Sequence, residues 1–264
     1  LSELVSVHHS EFIINLIDGR GSNKFHYPEQ NSYNFSDKEQ TLFSYMSAAR
    51  LGPEIYLPLR LGEEESNDIG QKGEFVLDLL EKNIDLSGIP EVLCHQGANS
   101  KGVRMNISHW LDLISPGISF NWKSIPKADI LIANFSGRRP ANVGFGISYT
   151  LPIIANALIY AALLANKKEQ SALMLIENPE AHLHPAGQTK LGIFLARAAK
   201  AGVQIIVETH SDHLLNGIRL AVKDKLLEAS ETAFYYLWVG LEISRPCSSF
   251  SSYNYPTAGN RLPS

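Results

Sequence analysis

Cysteine is nearly missing from this sequence: Cys94 and Cys247 are the whole supply in 264 residues. Two thiols without metal-site spacing exclude a disulfide framework and a cysteine-built zinc site. They set the expectation of a reducing, cytoplasmic setting in which both are chemically inert. Positive charge is not in excess either. Lys and Arg number 23 against 27 Asp and Glu, a net charge of −4, so the field of the whole chain does not recruit nucleic acid, although a local patch stays open. No signal peptide is visible, and no internal repeat. A GxxxxGK loop followed by Ser or Thr is absent as well. Gly19-Arg20-Gly21-Ser22-Asn23-Lys24 does not supply one, because Phe25-His26-Tyr27-Pro28 follows instead of an apolar helix. Nor is there an uninterrupted membrane-length run. Ile147–Ala165 approaches the ~20 residues a span needs, but Ser148, Thr150, Pro152 and Asn156 interrupt it and no basic flank orients it. It is expected to be a helix buried inside a soluble domain, with Pro152 in about its first turn and no membrane involved. Finally, Leu1 is not Met and opens in a strand-like pattern, from which a chain cut from something longer, or processed, is expected.

What is present concentrates between Ser171 and Leu215. Ala172–Ile176 and Val203–Val207 are short, mostly branched apolar runs, the signature of buried strands in a parallel sheet. Between them Leu191, Phe194, Leu195 and Ala198 recur at helical spacing, and Gly202 stands just past the helix end. Ser211 is a good N-cap for a further helix with Leu214, Leu215, Ile218 and Val222 inward. The result is a strand–helix–strand–helix unit, and the expected fold class is α/β, a mostly parallel sheet flanked by helices. In such sheets ligands bind beyond the carboxyl ends of the strands, where Glu177, Asn178, Glu180, His182, His184, Glu208 and His210 all fall.

Elsewhere the signals are coarser. Glu11–Ile17 reads as a strand closed by Asp18-Gly19-Arg20-Gly21. Ser36 and Glu39 form a capping box, so a helix-like opening is expected before Tyr45–Pro53. Residues 61–72, with Glu63, Glu64, Glu65 and Asp68, read as a solvated acidic loop. Short helices are expected at Phe75–Leu86 and Asn106–Ile114, the latter with Trp110, Leu111 and Ile114 on one face, and a strand at Asp129–Asn134. Gly144, Gly146 and Ser148 open the long apolar helix, a combination that suits an anion at a helix N-terminus. From Leu241 onward the chain is rich in Ser, Pro, Asn and Gly without periodicity, and residues 241–264 are expected to form an irregular or disordered tail.

Taken together, the blocks Tyr45–Pro53 (YMSAARLGP), Asn142–Pro152 (NVGFGISYTLP), Leu173–Pro185 (LMLIENPEAHLHP) and Val207–Leu215 (VETHSDHLL) resemble the ABC-type ATPases of the RecF, SMC and OLD group. They resemble most the stand-alone prokaryotic ATPases whose Walker B motif reads IENPEAHLHP. The resemblance implies that residues 1–240 are an incomplete ABC-type head, the later part of a P-loop ATPase domain without its Walker A loop. It also implies an activity: magnesium-dependent ATP binding and hydrolysis, coupled to dimerisation of two heads. Glu177 would hold the magnesium ion. Asn178 falls where many such enzymes carry the catalytic glutamate, with Glu180 the nearest replacement, and His210 would be the switch histidine at the γ-phosphate. Gly144, Gly146 and Ser148 would close in trans on ATP held by a second copy. His184, in the segment matching the D-loop that packs across the dimer, joins the nucleotide-binding set. Relatives of this kind are linked to DNA transactions or to defence against phages and plasmids, which implies a nucleic-acid or effector-nuclease partner. Without Walker A, the chain is expected to be inactive alone.

Two other readings compete. His182 and His184 alternate, and with His210 and His213 they could form the metal site of a zinc hydrolase. The chain could instead be a degenerate ATPase half that only dimerises or regulates. Glu208 is expected to pair with a neighbouring base. Arg50 either contacts a phosphate or pins the loop at Gly52-Pro53.

Overall fold

The computed structural model describes residues 11–16, 41–54, 57–60, 67–128, 130–136 and 144–237. In chain order the elements are β1 (Glu11–Leu16), β2 (Thr41–Met46), β3 (Leu57–Pro58), α1 (Val76–Lys82), α2 (Val103–Ile114), β4 (Phe120–Ile125) and β5 (Ile130–Phe135), followed by α3 (Phe145–Ala165), β6 (Ser171–Glu177), α4 (Pro185–Lys200), β7 (Gln204–Thr209), α5 (Asp212–Lys223) and β8 (Thr232–Leu237). Five strands form one sheet in the order β2-β6-β7-β1-β8. β2, β6 and β7 run parallel, while β1 joins β7, and β8 joins β1, in antiparallel fashion. A second, antiparallel sheet has the order β3-β5-β4. The fold is α/β, and its parallel part is the part that carries the acids and histidines.

The unit β6–α4–β7–α5 forms where the branched runs and the helical spacing place it. Ala172, Met174 and Ile176 on β6, and Ile205, Val207 and Thr209 on β7, point into the core, while the alternate residues are half-buried apart from the exposed Ser171. Leu191, Phe194, Leu195 and Ala198 of α4 are fully buried against them. Gly202, at φ 106°, follows the helix C-cap at Ala201, a left-handed position that suits glycine. The Ser211 side chain accepts the Leu214 amide, and Leu214, Leu215 and Ile218 are buried while Val222 packs at the margin of the core.

β2 overturns the helix-like reading that led into Tyr45. Thr41–Met46 pairs residue by residue with Ser171–Ile176 as a parallel ladder. Its alternation explains why: Leu42, Ser44 and Met46 are buried, whereas Phe43 is 52% exposed, a period of two that a helix cannot satisfy. Ser36 and Glu39 of the capping box, Gly19–Lys24, Glu63–Glu65, Asp129, Asn142, Cys247 and the tail 241–264 lie outside the described residues. The α1, α2 and β5 segments form close to their expected places.

The long apolar helix α3 is buried in the fold, with 83% of its most apolar window covered. Two of the polar residues that interrupt it donate hydrogen bonds. Asn156 Nδ2 donates to Ser44 Oγ on β2 at 2.5 Å, and Thr150 Oγ1 donates to the Gly146 carbonyl at 2.6 Å. Pro152 is not in the first turn, as the sequence suggested, because the helix already starts at Phe145 behind an extended Gly144. Its ring therefore leaves the Ser148 carbonyl without its helical donor.

Candidate functional site

Because β2, β6 and β7 are parallel, their carboxyl ends open on one edge. Glu177 ends β6 and stands beside Glu208 of β7 in register. Asn178 then takes a left-handed backbone at φ 41°, a conformation asparagine tolerates better than most residues, and turns the chain into Pro179 and Glu180.

The Glu177 carboxylate is held at both oxygens. The Tyr45 hydroxyl donates to Oε1 at 2.7 Å and the Ala48 amide donates to Oε2 at 2.9 Å. Arg50 holds the backbone behind it: Nη1 donates to the carbonyls of Glu177 (2.7 Å) and Ser47 (3.0 Å), and Nη2 donates to that of Asn178 (2.6 Å). Its guanidinium lies 5.0 Å from the centre of the Tyr149 ring on α3. These hydrogen bonds give Arg50 a brace on the Ser47, Glu177 and Asn178 carbonyls rather than a pin on the loop at Gly52-Pro53, and 4% of the residue is exposed. Burial pulls its pKa down to about 10, which the neighbouring Tyr149, Glu180, Glu177 and Glu208 counteract, so it stays charged at neutral pH.

The Tyr45 phenol is pushed up to about 12, first by its hydrogen bond to Glu177, then by burial and by the charges of Glu177 and Glu208. A phenol whose pKa is raised in the fold holds its proton more tightly there than when unfolded. Its stabilisation is therefore complete below pH 10 and is lost as pH rises through about 12. Urea titrations between pH 9 and about 12 should show a shallower fall in stability for Tyr45→Phe than for the parent. Tyr160, raised to about 12 mainly by burial, titrates in the same window but is common to both proteins. Identical slopes would remove the Tyr45–Glu177 bond from the account.

On the β7 side, His210 Nε2 lies 3.2 Å from Glu208 Oε1, the neighbouring-base pairing expected for Glu208. The His210 amide donates to Glu180 Oε1 at 2.9 Å. Ser211 Oγ donates to Gln188 Oε1 at 2.6 Å, and Gln188 Nε2 donates to the Leu183 carbonyl at 2.9 Å, which ties the start of α5 to the start of α4.

The structure brings the other expected residues to this edge in different ways. Gly146 packs so closely on the loop after β6 that a Cβ would stand 2.6 Å from the His182 carbonyl oxygen, a contact with backbone that only glycine allows. The Phe145 ring, half exposed, meets the His182 ring at 5.2 Å, and Tyr149 meets it edge-on at 4.9 Å. Gly144 is open to solvent, and Ser148 lines a shallow cleft with Leu51, Gly52, Lys72 and Pro152. His184 is exposed as the N-cap residue of α4.

The four histidines do not gather. Among the described residues no group of three or more His, Cys, Asp or Glu is placed to hold a metal ion, which removes the geometric basis of the zinc-hydrolase reading. Tyr45, Ala48 and Tyr149 are site residues that sequence reading missed. The available signal was the strand period of Thr41–Met46, which puts Tyr45 one residue before a strand's carboxyl end.

The family model for the AAA ATPase domain matches residues 23–215. Among solved structures, the SMC head bound to the C-winged helix domain of ScpA is similar at 18% identity and a TM-score of 0.31, over 44% of this chain and 36% of that one. The similarity thus spans well under half of the solved chain. No curated protein matches.

Proposed function

The chain belongs to the AAA ATPase domain family, and on that premise we propose that its carboxyl-edge site serves magnesium-dependent ATP binding and hydrolysis between two heads. The observation that carries the reading is the oriented acid: Glu177 ends a central parallel strand, with each oxygen already accepting one hydrogen bond and its backbone braced by Arg50. Each carboxylate oxygen keeps a further lone pair. A magnesium ion asks for only one or two carboxylates beside waters and phosphate oxygens, so a lone acid in this setting fits the ion. Bound there, the ion would neutralise charge on the transferred phosphoryl group. Asn178 is a neutral amide, which can orient an attacking water but cannot take its proton. His210, next to Glu208, would report the γ-phosphate. Gly144, Gly146 and Ser148, at the start of α3, together with His184, would meet nucleotide held by a second copy, making the active unit a homodimer.

From the resemblance to RecF-, SMC- and OLD-type ATPases we extend the proposal to a cytoplasmic protein whose ATP cycle drives a nucleic-acid or effector-nuclease partner. A second reading is a head that dimerises or regulates without hydrolysis, and one observation favours it: Asn178 offers a neutral amide directly after the acid-bearing strand, where a general base would be needed.

Calorimetry with ATP and magnesium separates them, run on this chain and on one extended upstream to include a GxxxxGK loop. Binding by the longer chain alone is the expected result. Binding by neither overturns the ATPase reading and leaves the interaction module. In the form that turns over, Glu177→Gln should lower the rate by about 100-fold or more while retaining ATP binding, a loss typical of removing a charge that acts on the transition state. His210→Ala should slow hydrolysis with a smaller effect on affinity. Full turnover in either variant removes that residue's role.

A further inference from the structure

Glu180, two residues past Asn178, is the nearest replacement candidate for the base that Asn178 cannot be. Its geometry assigns it another task. One carboxylate oxygen, Oε1, accepts the main-chain amide of His210 across the gap between the β6 and β7 loops at 2.9 Å. The other, Oε2, is enclosed and meets no hydrogen-bond donor among the described residues. A general base must reach the water it deprotonates, directly or through one other water. Here one oxygen is engaged with backbone and the other is shut away from solvent.

Glu180 is also one of the groups that act electrostatically on the buried guanidinium of Arg50. That guanidinium also fixes the carbonyls of Glu177 and Asn178 just upstream. Glu180 therefore hangs from a braced turn, and its reach to residue 210 sets where the β7 loop begins. His210 is then held from two sides: its amide by Glu180, its ring by Glu208. One residue later, Ser211 caps α5 and is itself bonded to Gln188 of α4.

We propose that Glu180 is a positioning residue for His210, a rigid strut between the loops after β6 and β7, and not the base of the reaction. The proposal deepens the ATPase reading where it speaks of turnover, but the strut itself does not depend on ATP.

The amide of glutamine keeps an oxygen that can accept the His210 N–H but cannot take a proton, so Glu180→Gln separates the two roles and Glu180→Ala removes both. On this chain, the exchange rate of the His210 amide is followed by NMR, with the amides of His184 and His213 as internal references. In Glu180→Gln it should stay close to the parent. In Glu180→Ala amide protection should fall about tenfold, the factor expected when a hydrogen bond worth about 1.4 kcal/mol is lost. The two reference amides should not change. An unchanged His210 in Glu180→Ala overturns the strut.

In a form that hydrolyses ATP, Glu180→Gln should keep kcat within about threefold of the parent, whereas loss of a general base costs about 100-fold or more. A loss of that size in Glu180→Gln, with the His210 signals intact, restores Glu180 as the base and overturns the proposal. Should the parent itself bind no ATP, the ATPase reading falls and the NMR comparison still decides the strut.

Discussion

Arg50→Ala should destabilise the fold by about 3–5 kcal/mol, among the largest effects a single change can have here. The side chain is 4% exposed and donates to three carbonyls, those of Ser47, Glu177 and Asn178. Each hydrogen bond to a charged donor contributes about 1.5–3 kcal/mol, and carbonyls left without one lose that and face a desolvation cost. Water entering the space recovers part of the loss, which is why the expected total is below the sum. The Glu180 carboxylate would also be left without the cation beside it. Arg50→Lys keeps the charge but offers one ammonium where a planar fork spans carbonyls on two segments, so it should restore less than half of the lost stability. Urea unfolding at neutral pH measures both. A cost for Arg50→Ala below about 1 kcal/mol, the level of an ordinary surface substitution, would show that the carbonyls are satisfied some other way.

The second large effect lies at the crossing of α4 and α5. There Gly192 and Gly217 face each other so closely that a Cβ on Gly217 would fall on the Thr189 carbonyl oxygen. A Cβ on Gly192 would fall on the Leu214 carbonyl oxygen, and each would stand 3.2 Å from the other glycine's Cα. Two opposing terms decide the outcome of Gly217→Ala. Alanine in mid-helix gains up to about 1 kcal/mol over glycine in backbone preference. Against this, the obstructing atoms are backbone, which cannot rotate aside as a side-chain tip can, and overpacking of this kind costs about 1–3 kcal/mol or more. The clash should win, with a net loss of about 2 kcal/mol or more and a lowered Tm. A Tm at or above the parent's would mean that the helices can separate at little cost. Because α5 starts two residues after His210 and α4 right after His184, the same variant should also disturb the NMR signals of both histidines.

The strand–helix–strand–helix unit was legible because several local signals agree: short branched runs, helical spacing between them, Gly202 past one helix and Ser211 before the next. The carboxyl-edge placement of Glu177, Asn178, Glu180 and His210 follows from that unit alone. β2 was hidden because Ser36 and Glu39 mimic a helix start while the six-residue alternation of Thr41–Met46 is short. β4 had a readable signal, since buried Phe120 and Trp122 alternate with exposed Asn121 and Lys123, and it went unread. What the sequence could not reveal is which carbonyls Arg50 reaches, or that Glu180 turns away from solvent toward the His210 amide. Both depend on the left-handed turn at Asn178 and on chain segments distant in sequence, which periodicity does not encode.

The hydrogen bonds that orient Glu177 and its backbone join residues 127 to 132 positions apart. Closing such long loops costs chain entropy before the contacts repay it, so interactions of this range belong to the slow end of folding. The acid is therefore set late. During synthesis the segment around Tyr45 and Arg50 leaves the ribosome well before β6 exists, and it has to wait for its partners. The Glu177 carboxylate thus gains its hydrogen-bond partners only once β6 has been made and paired with β2.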